Sequence, residues 1–299
     1  MTCRVCHNNL RDERLLIKEK MFGTNEVFEY NICSYCEAIQ IKTIPLNLGD
    51  YYPKDYYSYI REVKPKTRKI IKQKAMNIQA FIKNDFFKDK FFVDYGIFYN
   101  DRKKSVLDIG CGDGKLLKIL KENGFSDLTG IDPFINSDYT IKGLRLHKMN
   151  VEKLCGRYHL IMSHHSLEHM PDPHIFFKNT VRLLEDDGRI ILRIPIYPNY
   201  IWDKYNVDWI QLDAPRHLFT YTLKSIKFLC DIYELIIISS KYDSSPWSLA
   251  STEYCLEGKS HKEFEQNILI TEEQQNLCKR ANEMNYGDSI FLTLVKKNW

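Results

Sequence analysis

Short apolar runs alternate with amphipathic segments from residue 105 onward. The short apolar runs predict buried strands, and the amphipathic segments, with apolar residues every three or four positions, predict helices. We predict helices from Lys115 and from about His174. Strands alternating with helices favour a parallel sheet wound by helices. The predicted strands are SVLDIG (105–110), DLTGID (127–132), GLRLHKM (143–149), YHLIMS (158–163), GRIILRIP (188–195), YELIIISS (233–240) and SIFLTLVKK (289–297).

The chain before residue 105 has a different pattern. Residues 1–47 combine turn formers with a strand-like stretch at 26–31 and hold two pairs of cysteines. Residues 48–104 hold a tyrosine-dense segment followed by one or two predicted helices. We therefore expect three regions: a small module at 1–47, a helical connector at 48–104 and an α/β domain at 105–299.

Composition narrows the class of protein. The chain has 299 residues, of which 44% are hydrophobic and 27% charged, as is ordinary for a soluble globular protein. The net charge of +4 is too small to argue for a nucleic-acid partner. No apolar run approaches the roughly 20 residues that cross a bilayer, and the N-terminus lacks a signal-peptide core. We expect a cytoplasmic protein without membrane insertion.

A glycine-rich turn follows the first strand of the α/β region. The stretch VLDIGCGDGK places Asp108 before Gly110, Gly112 and Gly114. Glycines after a strand let the backbone approach a ligand closely. Their spacing differs from the dinucleotide fingerprint and resembles the first motif of class I S-adenosylmethionine methyltransferases. The resemblance implies that this loop wraps the amino-acid part and the ribose of the cofactor.

Further motifs follow in the order of that family. Asp132 ends the second strand, where a carboxylate can accept hydrogen bonds from ribose hydroxyls. Asn150 and Val151 stand where the family usually reads the adenine edge, and Ser163 ends the fourth strand. The resemblance implies a doubly wound, Rossmann-like sheet of seven strands and S-adenosylmethionine as cofactor.

Five of the nine histidines lie between residues 159 and 174. His165, Glu168 and His169 match the H-x-x-E-H pattern of one class of zinc peptidase. That pattern requires a continuous helix, whereas Pro171 and Pro173 end any helix shortly after it. The peptidase hypothesis is therefore rejected.

The same segment resembles the fourth motif of MetW-like, type 11 methyltransferases, where a strand runs into Leu-Glu-His and an Asp-Pro. This interpretation makes the segment an active-site edge without a metal. His164 is a candidate catalytic residue beside the methionine moiety of the cofactor or the acceptor. We expect His165, His169 and His174 to pack, cap or face solvent.

Cys3, Cys6, Cys33 and Cys36 form two CxxC pairs. Tetrahedral zinc suits four thiolates, and a module this small gains its stability from the metal. We predict one zinc in a ribbon-like module. A redox role for a CxxC pair is the alternative, and His7 is an alternative fourth ligand.

The resemblance extends over the chain. A four-cysteine ribbon, a segment like YYPKDYY and this methyltransferase core recur together in bacterial enzymes associated with surface-polysaccharide gene clusters. The architecture is also similar to sugar C-methyltransferases of deoxysugar pathways, which carry an N-terminal zinc module over the substrate site. It implies methylation of a nucleotide-activated or surface-glycan sugar, most simply at a hydroxyl, with C-methylation of a keto-sugar as the alternative.

The acceptor side is predicted after the fifth strand. Similar sugar C-methyltransferases carry Glu-His-Leu followed by aromatics there, with the histidine as base, so the resemblance makes His217 the candidate base. Arg216 replaces the glutamate, which leaves C-methylation open, and can bind a phosphate or carboxylate of the substrate. Tyr56 and Tyr57 are predicted to close the pocket, or else to pack the connector. A buried structural histidine is the alternative for His217.

An RNA-binding or RNA-modifying protein is the alternative from another functional class. Residues 61–74 hold seven basic residues and one acidic residue, which together with the cysteine ribbon could contact RNA phosphates. A solvated helix face explains the same charges. We expect a small-molecule acceptor and no nucleic-acid partner.

Overall fold

The computed structural model describes residues 1–52, 96–266 and 269–297. Its contacts divide the chain into two compact units. The first unit comprises Met1–Tyr52, His164–Val181 and Leu192–Trp299, and the second unit comprises Pro53–Ser163 and Arg182–Ile191. The division into regions at 47 and 104 stays a prediction.

All seven strands predicted from the apolar pattern are present, and so are the helices predicted from Lys115 and from about His174. The helices predicted in the connector lie outside the described residues. The strands of the described chain are β1 (Leu10–Lys18), β2 (Val27–Cys33), β3 (Ile39–Ile41), β4 (Ser105–Ile109), β5 (Asp127–Ile131), β6 (Tyr139–Ile141), β7 (Leu144–His147), β8 (Tyr158–His164), β9 (Leu184–Pro195), β10 (Phe219–Thr220), β11 (Leu235–Tyr242) and β12 (Ser289–Lys296). The α-helices are α1 (Lys115–Glu122), α2 (Pro173–Leu183), α3 (Tyr200–Tyr205), α4 (Leu223–Ile232), α5 (Pro246–Leu256), α6 (His261–Gln266) and α7 (Glu272–Glu283).

The second unit holds strands of the α/β sheet in the order β9-β8-β4-β5-β7-β6, with β6 antiparallel at the edge. β4 runs parallel to β5 and β8, and β5 runs parallel to β7. Parallel strands are covered on both faces, which explains why β4, β5 and β8 are runs of buried apolar residues. The carboxyl ends of these strands therefore meet at one edge, where open sheets of this kind bind ligands.

The expectation of seven strands is wrong by one, because eight described strands belong to the α/β sheet, which also includes β11 and β12. The additional strand is β6, which pairs antiparallel with β7 through a turn at Gly143. All three residues of β6 are exposed. A strand of three residues is too short for its hydrophobic pattern to indicate it, because strand alternation is read over about four to eight residues.

The first unit holds a small antiparallel sheet in the order β1-β2-β3-β10. β10 lies far along the chain yet pairs with β3, with Phe219 opposite Gln40 and Thr220 opposite Ile39. The buried side chains of Tyr30 and Phe219 contribute to the core of this unit. The cysteine-bearing ribbon is thus completed by the strand that follows His217. In the same unit β11 and β12 form an antiparallel pair.

Among the described residues, no helix is both long and apolar enough to cross a membrane.

Candidate active site

The glycine loop of the second unit has a backbone that other residues adopt with difficulty. Gly110, Gly112 and Gly114 have φ angles of 79°, 52° and 74°, in the left-handed region that favours glycine. A Cβ atom on Gly114 would lie 2.6 Å from Leu146 Cδ1. The loop is held to the next strand because the Gly110 amide donates to the carbonyl oxygen of Ile131 at 2.8 Å. Glycines at these positions allow a ligand to approach the backbone at the end of β4.

Two buried carboxylates belong to this loop. The Gly112 amide donates to Asp132 Oδ2 at 3.1 Å, and the Phe134 amide donates to Oδ1 at 2.8 Å. Burial raises the pKa of Asp132, although these hydrogen bonds oppose the shift. Burial, together with the charge of Asp132, raises the pKa of Asp108 to about 7. A positively charged ligand in this loop would offset both effects.

The other residues predicted to bind cofactor lie in the same unit. Val151 is buried at the start of a 3-10 helix, and the exposed Asn150 immediately precedes it. Ser163 is fully buried near the end of β8. Its neighbour Met162 is paired with Asp108 in the sheet. The predicted cofactor residues therefore lie at or near the carboxyl ends of neighbouring strands.

The raised pKa of Asp108 predicts a dependence of stability on pH. Between the ordinary pKa of an aspartate and about 7, the unfolded chain releases a proton that the folded protein retains, so stability from this group falls as pH rises. Asp108→Asn removes this loss of folding stability, which is on the order of 4 kcal/mol at pH 8. The difference between the melting temperatures of Asp108→Asn and wild type should therefore grow by several degrees, in favour of the variant, between pH 5 and pH 8.

The measurement is calorimetric melting of the ligand-free protein. Asp186→Asn is the control, because that side chain is 87% exposed and its replacement should give no such trend. A difference between Asp108→Asn and wild type that stays constant across this pH range would contradict the assignment.

The first unit brings a carboxylate and two histidines together. A carboxylate oxygen of Glu168 and one ring nitrogen each of His169 and His217 lie within 4.8 Å of one another. His169 Nδ1 lies 3.0 Å from the carbonyl oxygen of Arg216, and His217 Nδ1 lies 2.6 Å from that of Gln211. A carbonyl oxygen only accepts, so both Nδ1 atoms carry a proton and the lone pairs of the neutral rings lie on Nε2. We call Glu168, His169 and His217 the histidine cluster.

The carboxylate of Glu168 is fully buried. Its Oε1 atom lies 3.5 Å from His165 Nδ1 and 4.0 Å from His217 Nε2. Burial disfavours its ionised form, but the neighbouring histidines hold its pKa below the usual range. Burial, and then the charge of His217, lowers the pKa of His169 to about 4. Asp213 Oδ2 is a second carboxylate near His217 Nε2, at 3.8 Å.

The local backbone explains how this cluster forms. His165 has a φ of 51°, and its amide donates to the carbonyl oxygen of Arg193. Leu167–His169 is a single 3-10 turn, and α2 begins only at Pro173. The H-x-x-E-H pattern therefore does not lie on one continuous helix, which supports the rejection of the peptidase hypothesis. The Leu218 amide donates to the carbonyl oxygen of Glu168 at 2.8 Å, which joins the two segments.

His164 and His174 have other surroundings. Burial, together with the charges of Arg193 and His165, lowers the pKa of His164 to about 3, so its ring is neutral near pH 7. His174 Nε2 donates to the carbonyl oxygen of Val5 at 2.9 Å. The expectation that His174 caps or packs fits these contacts, whereas His169 belongs to the histidine cluster. Sequence reasoning missed the grouping of His169 with Glu168, although both lie in the Leu-Glu-His motif.

Arg216, predicted to bind a substrate anion, is surrounded by groups of this chain. Its guanidinium donates to Asp213 Oδ1, to Glu19 Oε1 at 2.6 Å and to the carbonyl oxygen of Tyr51 at 3.0 Å. The side chain is 1% exposed. A substrate role for Arg216 stays a prediction. Tyr56 and Tyr57 lie outside the described residues.

The four paired cysteines come together in the first unit. Their sulfur atoms lie within 4.8 Å of one another, and all four residues are buried. Cys3 and Cys36 sulfurs are 3.6 Å apart, and Cys6 and Cys33 sulfurs are 3.4 Å apart. The Val5 amide donates to the Cys3 sulfur at 3.3 Å, and the Tyr35 amide donates to that of Cys33 at 3.4 Å. Sulfur atoms at these separations can share one tetrahedral ion, since zinc–sulfur bonds are about 2.3 Å long.

Comparisons with known proteins agree on one kind of domain. Residues 87–239 match a family described as "Methyltransferase domain". A ubiquinone biosynthesis O-methyltransferase of Pseudomonas aeruginosa is 30% identical over 104 residues, which cover 30% of this chain and 43% of that protein. The Nitrosomonas europaea enzyme of the same description is 33% identical over 101 residues, or 29% of this chain and 41% of that protein. The match thus spans less than half the length of these relatives.

Two solved structures are similar to the chain. An O-methyltransferase from a trans-AT polyketide synthase multienzyme of Brevibacillus brevis, solved with S-adenosyl-L-homocysteine, has a TM-score of 0.47 and 15% identity. The similarity covers 80% of this chain and 82% of that one. A cyclopropane synthase from Mycobacterium tuberculosis has a TM-score of 0.42 and 18% identity, covering 65% of this chain and 78% of that one.

Proposed function

Since the chain belongs to the methyltransferase-domain family, we propose that it transfers a methyl group from S-adenosylmethionine to a hydroxyl of a sugar, either nucleotide-activated or part of a surface glycan. The glycine loop with its two buried carboxylates carries the cofactor half of this proposal. The sugar half rests on the resemblance of the four-cysteine ribbon and tyrosine segment to sugar methyltransferases. C-methylation of a keto-sugar is the alternative, and nothing in the described residues favours RNA.

A second acceptor class is favoured by the curated relatives. They are ubiquinone biosynthesis O-methyltransferases, matched over 104 and 101 residues. A phenolic or catechol hydroxyl is therefore the second candidate acceptor.

The cofactor fits the residues of the second unit. S-adenosylmethionine carries a positive sulfonium and an ammonium, and it supplies an activated methyl group when bound. Asp108 and Asp132 provide negative charge in the glycine loop, and Asp132 also holds the loop through the Gly112 amide. Asn150, Val151 and Ser163 complete the proposed cofactor residues at the strand ends.

We assign deprotonation of the acceptor to the histidine cluster, with His217 as the base. His217 Nδ1 donates to the carbonyl oxygen of Gln211, so Nε2 is the atom that can take the proton. Glu168 and Asp213 lie 4.0 and 3.8 Å from Nε2, where their charges would stabilise the imidazolium that forms. The acceptor O–H bond breaks toward Nε2, the new O–CH₃ bond forms, and the sulfur–methyl bond breaks to leave the neutral thioether. His164 is the second candidate, although its low pKa makes it a weaker base.

We further propose that Cys3, Cys6, Cys33 and Cys36 bind one structural zinc ion. Four thiolates with no open position are typical of structural rather than catalytic zinc.

The acceptor is tested directly with methyl-labelled S-adenosylmethionine. A panel of nucleotide sugars, keto-sugars, catechols and RNA is incubated with the enzyme, and the products are read by mass spectrometry. We expect label on a sugar hydroxyl. Label on a catechol alone would favour the second candidate, label on carbon would favour C-methylation, and no label on any acceptor would overturn the proposal.

Loss of the base should slow the reaction without loosening the cofactor. We expect His217→Ala to lower turnover by about 10²–10⁴-fold, as for removal of a general acid–base group. Calorimetric affinity for S-adenosylmethionine should hardly change, because its predicted ligands lie elsewhere. His159→Ala is the control, since that ring is one-third exposed and its contacts, with Ser105 Oγ at 3.0 Å and exposed Asp187 at 3.7 Å, lie outside the histidine cluster.

Normal turnover in folded His217→Ala would place the base elsewhere. Circular dichroism separates that outcome from misfolding. A variant that does not fold would instead indicate that His217 is a buried structural residue.

A further inference from the structure

We propose that Glu168, His169 and His217 form a binding site for one divalent transition-metal ion, such as Mn²⁺. This inference deepens the proposed function, and only its chemical role rests on methyl transfer. The site is separate from the four-cysteine group, because none of its ligands is a thiol. Two imidazoles and a carboxylate are a donor set that suits borderline divalent ions.

The orientation of the two imidazoles supports the site. Both Nδ1 atoms are engaged by backbone carbonyl oxygens, those of Arg216 and Gln211. Ligating histidines characteristically donate their other ring N–H to such a group, which fixes the tautomer and the ring. Tyr52 adds a second contact to His169 Nδ1 at 3.1 Å. The two rings are thus held edge to face with centroids 4.7 Å apart.

Glu168 is the second observation. Both of its carboxylate oxygens are buried, and neither accepts a hydrogen bond from a described residue. The nearest imidazole nitrogens, His165 Nδ1 and His217 Nε2, lie 3.5 and 4.0 Å from Oε1, which is longer than a typical hydrogen bond. A buried carboxylate without hydrogen bonds is costly, and a metal ion is one of the few ligands that compensates for it.

Charge is the third observation. Glu168, Glu19 and Asp213 are three buried carboxylates, and Arg216 is the one guanidinium bonded to two of them. Counted without the histidines, these four side chains carry a net charge of −2. One divalent cation would neutralise this buried charge.

The site would also select its acceptor. Three protein ligands leave coordination positions open for oxygen atoms of a substrate. Adjacent hydroxyls can fill two of them, so the inferred acceptor class is a vicinal diol, which sugars and catechols share. A cation there would lower the pKa of the hydroxyl to be methylated, whose proton passes to water. In this arrangement His217 Nε2 binds the metal, so metal binding replaces the base role assigned to His217 above, and His217→Ala slows turnover under either role.

The test uses Mn²⁺ and the 299-residue chain loaded with zinc. After removal of loosely bound metal, electron paramagnetic resonance should show one Mn²⁺ per chain while the zinc content stays unchanged. Glu168→Gln keeps the shape but removes the charge, and we expect it to weaken Mn²⁺ binding at least about 100-fold. Glu29→Gln is the matched control, because that carboxylate is partly exposed and pairs with Arg14 and Lys42.

A spectroscopic signature keeps the inference testable without a variant. Pulsed electron paramagnetic resonance of the wild-type protein should show two imidazole nitrogens bound to Mn²⁺. Absence of Mn²⁺ binding, or binding without nitrogen ligands, would overturn the site. Full methyl transfer by a chelated enzyme that holds no Mn²⁺ would overturn it while leaving the proposed function intact. Mn²⁺ bound by nitrogen without methyl transfer to any acceptor would support the site and overturn the proposed function.

Discussion

Replacing Cys33 by serine is expected to release zinc from the four-cysteine group and to unfold the ribbon at the start of the chain. Structural zinc contributes on the order of 10 kcal/mol to the folding of small modules, more than the ribbon can recover from its own core. Cys33 is the last residue of β2, and its amide donates to the carbonyl oxygen of Ala38, just before β3. Loss of the metal should therefore separate β2 from β3.

The damage should extend to methyl transfer. β3 pairs with β10, and the Tyr30 hydroxyl donates to the carbonyl oxygen of His217 at 2.9 Å. Thr222 Oγ1 donates to the carbonyl oxygen of Cys36 at 2.6 Å. These contacts attach the segment that carries His217 to the ribbon. We expect Cys33→Ser to lose nearly all methyl transfer although no cysteine is proposed to touch the substrate.

Elemental analysis and limited proteolysis provide the measurement. Wild type should carry one zinc per chain, and Cys33→Ser should carry none and be cut in the first 47 residues. Cys155→Ser, at an exposed cysteine, should match wild type. Full zinc content in folded Cys33→Ser would show that the metal lies elsewhere, and active protein without zinc would favour a redox role for the cysteines.

Local signals predicted most of the α/β elements. The apolar runs that became β4, β5 and β8 are buried on both faces, so each is continuous enough to read from the chain. The glycine loop could also be read locally, because positive φ angles at alternate positions require glycine. By contrast, β10 has two residues, and its partner β3 lies far away in sequence. Only the folded chain shows that pairing.

The histidine cluster was harder to predict for the same reason. Glu168 and His169 are adjacent, but His217 comes from a separate segment that is joined to them by the Leu218 amide. The proline argument against a helical zinc motif was right, since α2 begins at Pro173. That argument excluded only a metal site whose ligands lie within one helix. It did not address a site whose ligands come from two separate segments. Long-range convergence of this kind leaves no periodicity in the sequence.

Arg216→Ala is expected to destabilise the first unit by about 3–5 kcal/mol, because it leaves buried charges without a partner. In the structure Arg216 is bonded to both Asp213 and Glu19. Glu19 also accepts from the Phe22 and Thr24 amides at 2.9 Å, so this carboxylate cannot move readily to water. The free energy of unfolding from denaturant titration is the measurement. Arg157→Ala, at a guanidinium 46% exposed with partners Glu185 and Asp186, should cost less than about 1 kcal/mol.

A substrate role for Arg216 predicts a different result. If the guanidinium held a phosphate or carboxylate of the acceptor, Arg216→Ala would keep its stability and raise KM for the charged acceptor. The triple variant Glu19→Gln, Asp213→Asn and Arg216→Met sharpens the comparison. Removing all three charges together should cost less stability than Arg216→Ala alone, because a buried ion network is destabilised most when one partner is lost. Equal losses in the two variants would mean that Arg216 stabilises the fold by its volume, and that its charge contributes little.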